Sequence, residues 1–243
     1  YRPNSSSSWG SWGSASGGDN TAILSTTTPG LYQYRARNGS ADTWKESSEV
    51  TVVAVDKVVK QGTADEGPLF VCIGGSVNLE AKPNPSGVSF PTGEPHWSIQ
   101  SQPAGASALV NPTSGSATTT LSSLTIAGNY VVKGACGTSS DTITITVVKV
   151  DKVVKQGTTD EGPLYAVCPG DTVNLEAKPN PLGVSFPAGE PHWEIVSQPT
   201  GASAFVSPSQ GPTATLYLLV KPGTYVVKSK CGASDNGDTI DVV

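Results

Sequence analysis

The sequence predicts an all-β protein built of tandem antiparallel β-sandwiches, and three observations carry that prediction. No stretch of ten or more residues keeps a 3.6-residue apolar period, so helix has no support. Period-two segments recur instead. Ile143, Ile145 and Val147 alternate with Thr142, Thr144 and Thr146, and Tyr130, Val132, Gly134 and Cys136 share a face from which Lys133 points away. One apolar face per strand marks a sheet packed on one side. The third observation is a repeat: VDKVVKQGT stands at 55–63 and again at 150–158.

The repeat extends far beyond nine residues. DEGPL occurs at 65–69 and 160–164, VNLEAKPNP at 77–85 and 173–181, and GVSFP at 87–91 and 183–187. GEPHW follows at 93–97 and 189–193, then YVVK at 130–133 and 225–228. The repeated unit is therefore a domain of about 95 residues, and several short strands between Gly/Pro turns in that length suit a sandwich. The sequence divides into a partial unit at 1–54, a first repeat at 55–149 and a second at 150–243. In the second repeat, Tyr225, Val227, Ser229 and Cys231 face one side. Ala214, Leu216, Leu218 and Val220 are expected to do the same, alternating with Thr215, Tyr217 and Leu219.

The first 54 residues match only the end of a repeat. TPGLYQYRARNG at 28–39 aligns with KPGTYVVKSKCG at 221–232, which sets Tyr32 against Tyr225 and Asn38 against Cys231. Three strands cannot close a sandwich. Tyr32, Tyr34 and Ala36 are then expected on an open apolar face, covered by upstream sequence or by another copy that supplies the missing strands. Trp9 and Trp12, in a Ser/Gly-rich start, are placed to make assembly contacts. The chain begins at Tyr1 and not at Met, as expected of a piece of a longer product.

The joins VTVVAVDKVV and ITVVKVDKVV contain no Gly, Pro or Ser. A β-branched run without breakers favours a stiff, extended connection, and so a rod of domains in line. Phe90 and Phe186, in long Pro-rich loops, are expected over their own cores.

Four cysteines fall two per repeat: Cys72 with Cys136, and Cys168 with Cys231. No CxxC is present, which leaves a zinc or thioredoxin-like motif without support. Of the three pairings four cysteines allow, Cys72–Cys136 and Cys168–Cys231 is the simplest, one bridge per repeat. Each would stabilise its domain by about 4 kcal/mol in the chain-entropy model. Disulfides imply an oxidising compartment.

The pattern Cys72…Trp97…Cys136 and Cys168…Trp193…Cys231 resembles the Cys…Trp…Cys spacing of immunoglobulin-like domains. More closely, CIGGSVNLEA and CPGDTVNLEA, followed by a Trp strand and then AGNYVVK or PGTYVVK, resemble the Ig-like and PKD-like repeats of large bacterial surface proteins. The resemblance covers residues 55–243. It implies tandem immunoglobulin-like sandwiches, with Trp97 and Trp193 as core anchors and Tyr130 and Tyr225 opening a core strand. Two departures stand out. Tyr130 and Tyr225 precede their cysteines by six residues, where the family's tyrosine corner has two. Each first cysteine precedes its Val-Asn-Leu-Glu-Ala strand, which places a bridge toward the edge of the core.

Chemistry is sparse. No HExxH, GxSxG, GxGxxG or P-loop occurs, and an enzyme is not expected. His96 and His192 each precede the strand tryptophan and should face away from the core. The adjacent carboxylates Asp65–Glu66 and Asp160–Glu161 are weak candidates for Ca²⁺, which needs six to eight oxygens; otherwise no cofactor or metal is expected. Asp-Asn-Gly-Asp at 235–238 reads as a turn. Lys82 and Lys178, with Glu80 and Glu176 two residues away, are weak candidates for an isopeptide bond. Asn4 and Asn38 match the N-glycosylation pattern. The net charge of −5 without a basic cluster argues against nucleic acid, and no apolar run is long enough to span a membrane as a helix.

The expected function is structural: an extracellular or cell-surface protein forming a rod or head-to-tail fibre, with neighbouring repeats or other copies as partners. The rivals are an adhesion or carbohydrate-binding module that contacts surface glycans, and a spacer array of a secreted enzyme.

Overall fold

The computed structural model describes residues 26–33, 35, 36, 43, 45–164 and 168–243. Trp9, Trp12, Tyr34, Asn4 and Asn38 lie outside the described residues, as does Trp44. Every named element is a strand. The first four form two small ladders: β1 (Gly30–Tyr32) pairs with β4 (Val50–Val52), and β2 (Arg35–Ala36) with β3 (Lys45–Glu46).

The first sandwich comprises β5 (Ala54–Lys60), β6 (Leu69–Cys72), β7 (Val77–Asn84), β8 (His96–Ser101), β9 (Leu109–Asn111), β10 (Thr118–Ser122), β11 (Gly128–Cys136) and the start of β12 (Ser139–Lys155). One sheet runs β5-β7-β10-β9 and the other β8-β11-β12-β6, with β6 parallel to β12 and all other pairs antiparallel. The second sandwich follows with β13 (Val173–Asn180), β14 (His192–Ser197), β15 (Phe205–Ser207), β16 (Thr213–Tyr217), β17 (Tyr225–Lys230) and β18 (Asp238–Val242). The end of β12 heads its first sheet, in the order β12-β13-β16-β15, against β14-β17-β18. Leu164 bridges Val242 in parallel, as Leu69 does Ile145. This is the strand order of immunoglobulin-like sandwiches. The chain is a tandem of them.

The repeated motifs now have physical roles. In DEGPL the backbone leaves one sheet to join the other. Gly67 sits at φ +85° with the Thr144 carbonyl against the position a Cβ would take, and Gly162 at +81° faces the Asp241 carbonyl likewise. An L side chain would meet both strain and a clash there. In GEPHW the tryptophan is buried, Trp97 at 4% and Trp193 at 5% exposure. Each indole N–H donates to a carbonyl, that of Ser116 at 2.9 Å and that of Gly211 at 2.7 Å.

Tyr130 and Tyr225 are buried at the start of β11 and β17. Their hydroxyls donate to the carbonyl four residues upstream, Ile126 at 2.8 Å and Lys221 at 2.9 Å. That bond is the tyrosine corner. It is present despite the six-residue spacing because the cysteine, not the tyrosine, is displaced. Two residues after each tyrosine stand Val132 and Val227, fully buried. Tyr32 repeats the arrangement, donating to the Thr28 carbonyl at 2.7 Å. The expectation that Tyr32 lies on an open face is thereby corrected: it is 5% exposed, satisfied and packed within its own chain.

A second correction concerns residues 214–220. Ala214 and Leu216 point inward, but Leu218 and Val220 are exposed and Leu219 is buried. Leu218 adopts φ +59°, and Ser123 does the same at the equivalent place in the first sandwich. One left-handed residue breaks the two-residue alternation and turns the next side chain into the core. Phe90 and Phe186 pack on their own cores, as expected.

The joint between sandwiches as candidate functional site

β12 has seventeen residues and belongs to both sandwiches. Ile143, Ile145 and Val147 fill the first core, while Val148, Val150 and Val153 fill the second. The expected boundary between residues 149 and 150 falls inside this strand, so no linker separates the domains. The β-branched run Ile-Thr-Ile-Thr-Val-Val makes that possible, being compatible with strand at every step.

Beside the strand lies a disulfide, Cys72–Cys231, with Cα atoms 5.3 Å apart. It joins the first sandwich to the second. The expected pairing of Cys72 with Cys136 and of Cys168 with Cys231 is thus corrected: Cys136 and Cys168 carry free thiols. Strand direction explains why. Along β12, Cys136 sits opposite Ser139 and Cys72 opposite Val148. Nine strand residues separate those levels, about 30 Å at the usual rise. A disulfide needs Cα atoms within about 7 Å. Each repeat therefore holds its two cysteines at opposite ends, and only neighbouring repeats bring a pair together.

The joint is closely packed. Ile73 N–H donates to the Val148 carbonyl at 2.9 Å, and Gly74 N–H to the Leu124 carbonyl at 2.8 Å. Gly74 lies so close to Ser234 that a Cβ would overlap its hydroxyl, and Gly232 is similarly tight against Cys72. Asp235, 7% exposed, is the polar centre. Its carboxylate accepts from Val150 N–H and Cys231 N–H, both at 2.8 Å, and from Gly237 N–H at 3.0 Å. Asp-Asn-Gly-Asp is thus more than a turn. Its first aspartate ties β12 to the cysteine, and its last, Asp238, accepts from Val153 N–H at 2.7 Å.

The other sequence candidates are spread over the surface. Glu66 pairs with Lys57 at 2.9 Å and Glu161 with Lys152 at 2.7 Å, while Asp65 and Asp160 accept from Gly67 and Gly162 N–H. Those contacts engage all four carboxylates within the chain. The ion pairs raise the pKa of Lys57 and of Lys152, chiefly through the hydrogen bond to the glutamate. Lys82 and Lys178 are partly exposed and pair with Glu80 and Glu176 at 2.5 and 2.6 Å. Their hydrogen bonds lower the pKa of both glutamates. His96 and His192 lie outside the cores, 3.8 and 3.6 Å from Glu94 and Glu190. Among the described residues, one cluster brings together three residues of metal-ligating type, Cys72, Glu190 and Cys231, and its two sulfurs are bonded to each other.

No family model matches the chain, and no curated protein matches it. Among solved structures, the D00-D0 domain of intimin is 15% identical, over 79% of this chain and all of that one, with a TM-score of 0.35. Domains A168-A170 of titin are 16% identical over 90% and 75%, with a TM-score of 0.34. Domains 4-9 of the surface layer protein SbsC are 16% identical over 88% and 35%, with a TM-score of 0.28. The immunoglobulin-like assignment stands on strand order and the tyrosine corners. No helix among the described residues is long and apolar enough to cross a membrane.

Proposed function

We propose that this chain is a non-catalytic structural segment of an extracellular or cell-surface protein, a stiff rod of immunoglobulin-like units that holds distance. The joint carries this reading. A shared strand and a disulfide connect the two sandwiches at two separate points, which opposes both bending and twisting between them. A protein that needed its domains to move would gain nothing from either. The disulfide also fits an oxidising compartment. Small-angle X-ray scattering with and without reductant tests the reading. The oxidised chain should give an elongated profile described by one rigid shape, and reduction should broaden the distance distribution. A folded-back, compact profile in the oxidised state would sink the rod.

A weaker second reading is adhesion. A shallow groove of about 510 Å³ lined by Phe70, Asn129, Thr142, Thr144 and Thr146 sets a 40%-exposed aromatic ring beside a row of hydroxyls. Such a surface suits a sugar ring, and a Phe70→Ala variant that bound a glycan array as well as the parent would remove it.

A further inference from the structure

We propose that the outer end of the second sandwich, around Cys168, is a docking surface for a further unit of this same repeat type. That unit would continue β18 as the second sandwich continues β12, and would bond to Cys168 through the cysteine that ends its β17-equivalent strand. The inference rests on the rod reading for the order of units and adds the rule of their covalent connection: each unit's first cysteine bonds to the next unit's second.

Away from the inner joint, each sandwich presents one half of it. At the inner joint Cys72 is 8% exposed; at the outer end its counterpart Cys168 is exposed. The surrounding backbone is the same. Gly170 N–H donates to the Leu219 carbonyl as Gly74 does to Leu124, and Asp171 N–H to the Cys168 carbonyl as Gly75 does to Cys72. The outer end is thus set as its bonded counterpart is, but faces no Cys231.

The opposite end shows the complementary half. Cys136 occupies in the first sandwich the place of Cys231 in the second. Its thiol donates to the Val53 carbonyl at 3.5 Å. Val53 corresponds to Val148, whose carbonyl is taken by Ile73 N–H next to the bonded cysteine. The thiol therefore rests on the carbonyl that a β6-type strand would claim. Glu94 lies beside it with one carboxylate oxygen buried and without a partner among the described residues. Burial first, and the Glu94 charge second, raise the pKa of Cys136 and keep it a thiol. Two observations at opposite ends agree with one translation rule.

The bonding step is an oxidation. Two thiols lose two protons and two electrons, and a small disulfide such as oxidised glutathione takes them up as two thiols.

The test extends the full chain. Residues 147–243 are appended directly after Val243, which restores the length of β12 because Val242 stands at the level of Ile145, and the product is oxidised with glutathione. A parallel extension appends 52–148 instead, so that either graft that folds, as judged by burial of its tryptophan, decides the matter. The parent has two free thiols. Each extension adds two cysteines, and the proposal expects the free count to stay at two, with a peptide joining Cys168 to Cys231 or Cys136 of the graft. Four free thiols in a folded graft, or a bridge within the graft, would overturn it. So would a Cys168–Cys168 dimer of the parent chain oxidised alone. Scattering from the same samples separates the readings: an elongated extension without the bridge removes the bonding rule alone, whereas a collapsed one removes the rod.

Discussion

The two sandwiches share motifs, strand order, buried tryptophan and tyrosine corner, yet they treat the same cysteine differently. Cys231 is bonded and Cys136 is not. The neighbourhoods differ in one respect that matters. The second sandwich has a longer β17–β18 connection, in which Asp235 reaches both β12 and the Cys231 backbone. The first has a tight turn from Cys136 to Ser139 and no such aspartate. The difference teaches that the disulfide belongs to the joint and not to the fold of a repeat. Neither sandwich has a disulfide between two cysteines of its own.

Removing the bridge breaks the comparison most directly. Cys72→Ser leaves both repeats without a disulfide. Its 159-residue separation corresponds to a loss of up to about 5 kcal/mol in the chain-entropy model. Denaturant titration should show one transition in the oxidised parent split into two in the variant. A single unshifted transition would mean that the shared strand alone couples the domains.

Asp235→Ala sharpens the comparison from the other side. It strips two buried N–H groups of their acceptor, and unsatisfied buried donors cost roughly 1–3 kcal/mol each. The second sandwich should lose about 3 kcal/mol and exchange Val150 and Cys231 amide hydrogens faster, while the first is unchanged. Equal loss in both would place the aspartate's effect outside the joint.

Tyr130→Phe and Tyr225→Phe probe what the repeats have in common. Each removes one hydroxyl-to-carbonyl bond, worth about 1 kcal/mol. The two losses should agree by thermal unfolding, and a large disparity would show that the corners are not equivalent.

The smallest effect concerns pH. Lys82 and Lys178 lower the pKa of Glu80 and Glu176, so these carboxylates stabilise the fold above the usual carboxylate range and lose that contribution as pH falls through the lowered value. Being partly exposed, each pair is worth only a few tenths of a kcal/mol. Glu80→Gln and Glu176→Gln should each cost those few tenths at pH 7 and almost nothing at pH 3, which flattens the stability profile between them; an equal loss at pH 7 and pH 3 would refute the pairing.

Much of this was legible in the sequence. Alternation in 130–136 and 142–147 identified core faces correctly, because one-sided burial leaves a period-two trace. The absence of breakers in ITVVKVDKVV announced a strand that runs on without interruption from one sandwich into the next. Position 218 was not legible, since a leucine at φ +59° leaves no mark in an apolar run. The cysteine pairing was missed for a different reason. Equal spacing in two repeats is as compatible with bonds between units as within them, and only strand direction tells them apart. The short β6, with four residues in parallel to β12, carries that direction, and parallel pairing cannot be read from LFVC. The tyrosine corner was obscured because the cysteine that normally marks its distance lies four residues further along.

The continuous β12 also decides where a protease can cut. Tandem domains are usually severed at the linker, where a few residues enter the enzyme's cleft without disturbing either core. Here the chain from 148 to 153 runs within strand pairing, apart from a bulge at Asp151, so cleavage between the sandwiches requires opening one of them. Limited digestion should nick the proline-rich loops at 85–95 and 181–191 first, and after reduction should still release no intact single domain.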